Sequence, residues 1–143
     1  MKSYTFGKSS LTALHGVHPL LVAAVAVALK KSIVDFKVLE GVRTKERQAE
    51  LYAQGRTKPG SVVTWTMSSR HFIDKSTGYG HAVDLLPAPY DWKDLANFDA
   101  VAKAVFEAAD DLGVKIRWGK DWNMNGKLGE KGEHDSPHFE LVI

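Results

Sequence analysis

The chain has 143 residues, 44% hydrophobic and 25% charged, the proportions of one folded globular domain rather than of a disordered or fibrous chain. Its net charge is +2, with lysines and arginines scattered along it, so no nucleic-acid-binding face is expected. It has no cysteine, which excludes disulfides and thiolate ligands from any account of its stability or of a metal site.

Ser9 to His15 reads as a short helix, and Pro19 to Lys31 as a longer, almost wholly apolar one with proline in its first turn, where a missing N–H costs least. The apolar run Leu20 to Leu29 is far shorter than the roughly 20 residues needed to cross a bilayer, so no membrane span is expected. Its Ala-Val-Ala-Val-Ala imitates a signal-peptide cleavage site. The preceding segment, however, is long, contains Gly16 and carries little positive charge, so a buried helix is expected there instead.

Asp35 to Glu40 has strand character and stops at Gly41. Thr44 is placed to cap a helix through Gln54, closed by Gly55, which leaves Arg43 at a strand-to-helix junction from which a side chain is easily aimed into a cleft. Val62 to Met67 is rich in β-branched and aromatic residues and predicts a strand, whereas Ser68 to Tyr79 has turn composition. A strand from His81 to Leu86 ends at Pro87. Phe98, Val101, Val105 and Ala109 follow helical spacing within Asn97 to Leu112, and Gly113 terminates that helix. Val114 to Trp118 and His138 to Ile143 are the last strands, joined by a Gly- and Asn-rich loop from Gly119 to Ser136. These elements predict an α+β fold, a small, largely antiparallel sheet with helices on one face, with residues 1–143 forming a single domain.

Candidate chemistry concentrates in Ser69-Arg70-His71, in Gly80-His81-Ala82-Val83-Asp84 and in Asp135-Ser136-Pro137-His138. Together they offer two histidines and a carboxylate as ligands, and a second carboxylate as a base. A hydrolytic zinc centre needs that inventory: three protein ligands, an open position and a nearby base. His81 and Asp84 lie three apart in a strand, so period two turns them to opposite faces, whereas His71 comes from the preceding turn and is free to approach Asp84. His138 opens the final strand as the third ligand; Pro137 argues against a helix that would bring His134 alongside it. Asp135 could act as base or cap a turn, and Glu133 could take the catalytic role. Glu140, two after His138 on the same strand face, could orient a ligand imidazole or pair with a lysine. His15 and His18 flank Gly16 with no carboxylate motif and are read as bystanders.

The Ser-x-His, Gly-x-Ala-x-Asp and acid-x-x-His segments, with Glu40-Gly41-Val42-Arg43 and His138-Phe139-Glu140-Leu141, closely resemble the zinc peptidases that cut peptidoglycan stem peptides. That family contains D-alanyl-D-alanine carboxypeptidases, dipeptidases and the L-alanyl-D-glutamate peptidases that bacteriophages use as endolysins. The resemblance implies one catalytic zinc ion on His71, Asp84 and His138. It also implies Asp135 as general base, in preference to Glu133, and Arg43 as the residue holding substrate near the scissile carbonyl. One departure stands out. The family pattern separates its histidine and aspartate by seven positions, and here thirteen separate His71 from Asp84, with Thr77, a poor zinc ligand, at the strict spacing. Six residues within Phe72 to Tyr79 are therefore expected to loop out.

The implied reaction is hydrolysis of the stem peptide, foremost as an L-alanyl-D-glutamate endopeptidase serving as a phage endolysin. Such an enzyme would be a monomer without a wall-binding module, made in the host cytoplasm and reaching the periplasmic peptidoglycan after membrane permeabilisation. A bacterial D,D-carboxypeptidase or dipeptidase is the alternative within the class. A zinc-stabilised wall-binding module that has lost catalysis is the alternative outside it, and it would need neither Asp135 nor Arg43. A further metal signal is Asp121-Trp122-Asn123-Met124-Asn125-Gly126, the first half of a calcium loop with Asp121, Asn123 and Asn125 as ligands. Its twelfth position is Gly132 rather than glutamate, and Asn/Gly runs of this kind are commonly plain turns.

Overall fold

The computed structural model describes residues 4–60, 70–121, 124 and 135–143. Among the described residues, four helices and six strands follow one another as α1 (Lys8–Ala13), α2 (Pro19–Lys31), β1 (Phe36–Glu40), α3 (Lys45–Ala53), β2 (Ile73–Asp74), β3 (Tyr79–Gly80), β4 (Ala82–Pro87), α4 (Leu95–Leu112), β5 (Ile116–Gly119) and β6 (Asp135–Leu141). Four strands form an antiparallel sheet in the order β1-β4-β6-β5, and β2 and β3 pair as a separate short hairpin. The fold is α+β, as the element pattern predicts.

Local chemistry sets the helix ends. Proline opens α2, and His18 caps it by accepting from the Leu20 N–H through Nδ1. The Thr44 side chain accepts from Arg47 N–H at the start of α3, a cap of the kind that contributes about 1 kcal/mol. Asp94 caps α4, which therefore begins two residues before Asn97, and Gly113 closes it in the left-handed conformation at φ 67°.

Alternation along the central strands divides the sheet into two faces. Val83 and Leu85 of β4 and Phe139 and Leu141 of β6 join α2 and α4 residues such as Leu21, Val25, Val101 and Val105 in one core. Asp84, His138 and Glu140 alternate with them and so belong to the opposite face. A bulge at Leu39 brings Glu40 to that face as well: Val38 pairs with Leu85, but Glu40 pairs with Asp84.

Two segments differ from the sequence expectations. Ser68 to Tyr79 is not all turn, because its second half contains the β2–β3 hairpin; strands of two residues are too short to show period two. Asp135 begins β6 rather than sitting in a turn before it. Pro137, which cannot donate to a ladder, hides that strand start, and the ladder there is irregular: Trp118 pairs with Phe139 but the next residue, Gly119, pairs with Asp135. The strand expected over Val62 to Met67 lies outside the described residues.

Candidate metal centre

Strand register assembles most of the site. Asp84 and His138 are direct cross-strand partners, and Ala82 and Glu140 are the next pair on the same face. Arg117 of β5 stands opposite Glu140, and Glu40 of β1 opposite Asp84. A row of polar side chains thus crosses the face of the sheet opposite the core.

His71 comes from outside the sheet. Arg43 N–H donates to the His71 carbonyl at 2.9 Å, and the His71 ring donates from Nδ1 to the Gly41 carbonyl at 2.7 Å. That bond selects the tautomer with its lone pair on Nε2, which lies 3.4 Å from Asp84 Oδ1. The loop around Gly41 is packed so tightly that a Cβ there would collide with the Ala13 carbonyl oxygen. His138 Nδ1 lies 3.4 Å from the same Asp84 oxygen, while His138 Nε2 is 3.0 Å from Glu140 Oε1. His71 and His138 are 1% and 7% exposed, so their rings are held by packing as well as by hydrogen bonds.

One donor atom each from His71, Asp84 and His138 therefore lies within 4.8 Å of the others. Zinc bound tetrahedrally at about 2.0–2.1 Å places neighbouring ligands about 3.3–3.4 Å apart, and both imidazole-to-Asp84 separations are 3.4 Å. Each imidazole also donates its other nitrogen to an oxygen, the arrangement that metal-bound histidines favour. The donor set fits one zinc ion.

The same crowding sets the proton affinities of the metal-free centre. Burial alone would raise the Asp84 carboxyl, but the His138 and His71 imidazoles beside it hold it well below the usual carboxylate range. Burial would lower His138, yet its bonds to Asp84 and Glu140, with the charges of Asp84 and Asp135, push it up to about 9. Glu140 is likewise held low by His138, Arg117 and Arg70 against the opposing effect of burial.

Asp135 stands at the mouth of the site, its side chain about half exposed, with Oδ2 4.0 Å from His138 Nδ1. Residues three apart in a regular strand would point to opposite faces, so the irregular stretch between them is what brings both to one side. Trp118 stabilises that stretch, its indole N–H donating to the Ser136 carbonyl at 2.7 Å. A Cβ at Gly119 would collide with the Asp135 carbonyl oxygen, so glycine is required for the two strands to approach here. Desolvation, reinforced by Asp84, raises the Asp135 carboxyl despite the nearby His138, His71 and Arg43. It is a stronger base for that.

Arg43 is not a free helix-start arginine. Its Nε and Nη2 donate to the two Glu40 oxygens at 2.9 and 2.7 Å, and Nη1 donates to Gln48 Oε1 at 2.8 Å. Nη2 also reaches Asp84 Oδ2, at 3.4 Å. The guanidinium is thereby fixed beside the carboxylate that bears on both histidines.

His81 belongs to a different cluster. Arg70 Nη2 donates to its Nδ1 at 3.3 Å, and its Nε2 pairs with Thr77 Oγ1 at 2.7 Å. Burial and then the Arg70 charge lower its pKa, which favours the neutral ring. The extra residues after His71 form the β2–β3 hairpin, and His81 sits at its base. His18 packs edge-on against both His81 and Tyr79. Glu40, Gln48, Arg70 and Arg117 went unread as site residues in the sequence. The signals for Glu40 are its place three residues before Arg43 and the Glu40-Gly41-Val42-Arg43 segment; nothing local marks Gln48, which only the structure shows to be buried, at 0% exposure. In the sequence Glu140 had a lysine as its possible ion-pair partner; in the structure the partners are Arg70 and Arg117. Of the calcium loop, Asp121 is described, with its N–H donating to Trp118 carbonyl at 2.9 Å; Asn123 and Asn125 lie outside the described residues, as do Glu133 and His134.

Comparison with known proteins places this geometry in context. The family model for phage L-alanyl-D-glutamate peptidases matches residues 2–142. The chain is 36% identical over 146 aligned positions to the L-alanyl-D-glutamate peptidase of Escherichia phage T5, covering 98% of this chain and 99% of that protein. It is 30% identical to the peptidoglycan L-alanyl-D-glutamate endopeptidase CwlK of Bacillus subtilis, over 88% of this chain and 74% of that one. The crystal structure of the Serratia marcescens L-Ala D-Glu endopeptidase ChiX superposes with a TM-score of 0.72 at 32% identity, covering 96% of this chain and 90% of its own.

Proposed function

Since the chain belongs to the phage L-alanyl-D-glutamate peptidase family, we propose that it is a zinc-dependent endopeptidase that hydrolyses the L-alanyl-D-glutamate bond of peptidoglycan and serves as a phage endolysin. The observation that carries the zinc dependence is the convergence of His71 Nε2 and His138 Nδ1 on one oxygen of Asp84, each at 3.4 Å. No helix among the described residues is long and apolar enough to cross a membrane. An enzyme made in the host cytoplasm would then depend on separate permeabilisation to reach the periplasmic wall.

His71, Asp84 and His138 would hold the ion. Zinc at this position would supply Lewis acidity, lowering the pKa of water toward neutrality and polarising a carbonyl. Asp135, raised in basicity and beside His138, takes the proton of the attacking water and delivers it to the leaving amine. Arg43 contributes fixed positive charge for the developing oxyanion, its orientation set by Glu40 and Gln48. A binding module without catalysis would have no use for Asp135 at this position.

Digestion of purified muropeptides tests the reading. Zinc-loaded protein should release free amino groups on D-glutamate, chelation should abolish the release, and zinc should restore it. Cleavage between the terminal D-alanines instead would assign the D,D-carboxypeptidase activity, and full hydrolysis by verified metal-free protein would refute zinc dependence.

A further inference from the structure

On the side of Glu140 away from the candidate ligands lie two arginines. Glu140 is 5% exposed, and its oxygens divide their work. Oε1 faces His138 Nε2 at 3.0 Å, whereas Oε2 lies 3.3 Å from Arg70 Nε and 3.4 Å from Arg117 Nη2. The two guanidinium groups come from unrelated parts of the chain. Arg117 is the cross-strand partner of Glu140 on β5. Arg70 directly precedes His71, and its Nη2 donates to the Leu141 carbonyl at 2.8 Å and to His81 Nδ1 at 3.3 Å. Arg70 is thus tied to the far end of β6 and to the base of the inserted hairpin.

We propose that Arg70 and Arg117 are positioning residues for the metal centre, acting through Glu140 to fix the orientation of the His138 imidazole. The inference rests on the zinc reading above and extends it outward by one layer. A carboxylate held by a single imidazole can rotate about its last side-chain bonds. With Oε2 held by two cations from different directions, Oε1 has one place to be, and the His138 ring is set with Nδ1 toward Asp84. A buried carboxylate also needs compensating charge to remain in place, and two permanently charged guanidinium groups supply it. The dipeptide Arg70-His71 consequently does two things: it contributes one ligand and, through Glu140, orients another.

The test measures zinc affinity by competition with a chelator of known strength, alongside muropeptide hydrolysis, in the full chain. Outer-shell partners of metal ligands typically contribute about 10- to 100-fold in affinity. Glu140→Gln should fall in that range and Arg117→Gln near about tenfold, with KM unchanged. In the Glu140→Gln background, Arg117→Gln should add no further loss, a result a merely structural role of Arg117 would not give. Arg70→Gln also removes the bond to the Leu141 carbonyl, so Arg70→Lys, which keeps the charge, is made beside it and should retain more affinity. Zinc affinities within twofold of wild type in Arg117→Gln and Arg70→Gln would overturn the proposal. So would an Arg117→Gln loss of full size in the Glu140→Gln background. A wild-type protein that takes up no zinc would instead refute the underlying zinc reading.

Discussion

Asp84 and His138 reach the centre from adjacent strands, whereas His71 reaches it from a turn followed by an inserted hairpin. The first pair is placed by backbone register: once β4 and β6 align Asp84 with His138, the two side chains face one another across the ladder. His71 depends on tertiary bonds, from Arg43 N–H to its carbonyl and from its own ring to the Gly41 carbonyl. The comparison explains why thirteen positions between His71 and Asp84 can do the work of seven. Arg43 N–H holds the chain at His71, and the N–H of His81 donates to the Arg70 carbonyl at 3.0 Å as the chain returns. Residues added between these stitched ends form β2–β3 and leave His71 in place.

The largest effect expected short of removing a ligand is at Asp135, on the ladder side of the comparison. Asp135→Asn should keep its zinc and lose about 100- to 10,000-fold in turnover, the usual range for a general base. Glu133→Gln should keep most activity. Zinc content and hydrolysis rate measured together decide it, and near-normal turnover in Asp135→Asn would remove Asp135 from the mechanism.

A smaller, graded effect follows from the proton on His138. Zinc held by His138 would have to displace that proton below about pH 9, so His138 alone should make apparent zinc affinity rise about tenfold per pH unit up to that point. The metal-free protein should show the opposite trend in stability. The folded-state value lies above the ordinary 6.5, so the contribution is fully present below 6.5 and is lost as pH rises through about 9. Denaturant unfolding in chelator across that window measures it, and stability that climbs from pH 7 to 9 would contradict the sign.

The smallest effect belongs to the hairpin. Thr77→Ala removes the hydroxyl paired with His81 Nε2 and should cost about 1–3 kcal/mol of stability, the usual penalty for leaving a buried polar atom unsatisfied. Zinc content should not change. Loss of the metal would mean that the hairpin supports His71 after all.

What could be read from the sequence follows the same division. The helices were legible because Pro19, Thr44 and Gly113 mark their ends and apolar spacing marks their faces, and β4 was legible from the aliphatic residues on either side of Asp84 and the proline that stops it. Two irregularities were not. The bulge at Leu39 turns Glu40 toward Asp84, and the irregular step from the Trp118–Phe139 pair to the Gly119–Asp135 pair turns Asp135 toward His138; both invert what strict alternation predicts. The charges around Glu140 were hidden for another reason. Arg70, Arg117 and Glu140 meet only through cross-strand register and a returning turn, and no local spacing connects them.

Zinc stoichiometry in two histidine variants tests the central claim most directly. If one ion is shared by His71, Asp84 and His138, wild type should bind one equivalent, His81→Ala should also bind one, and His71→Ala should bind none and hydrolyse nothing. Retention of the metal by His71→Ala with its loss from His81→Ala would contradict the account and move the site to His81, at the base of the inserted hairpin.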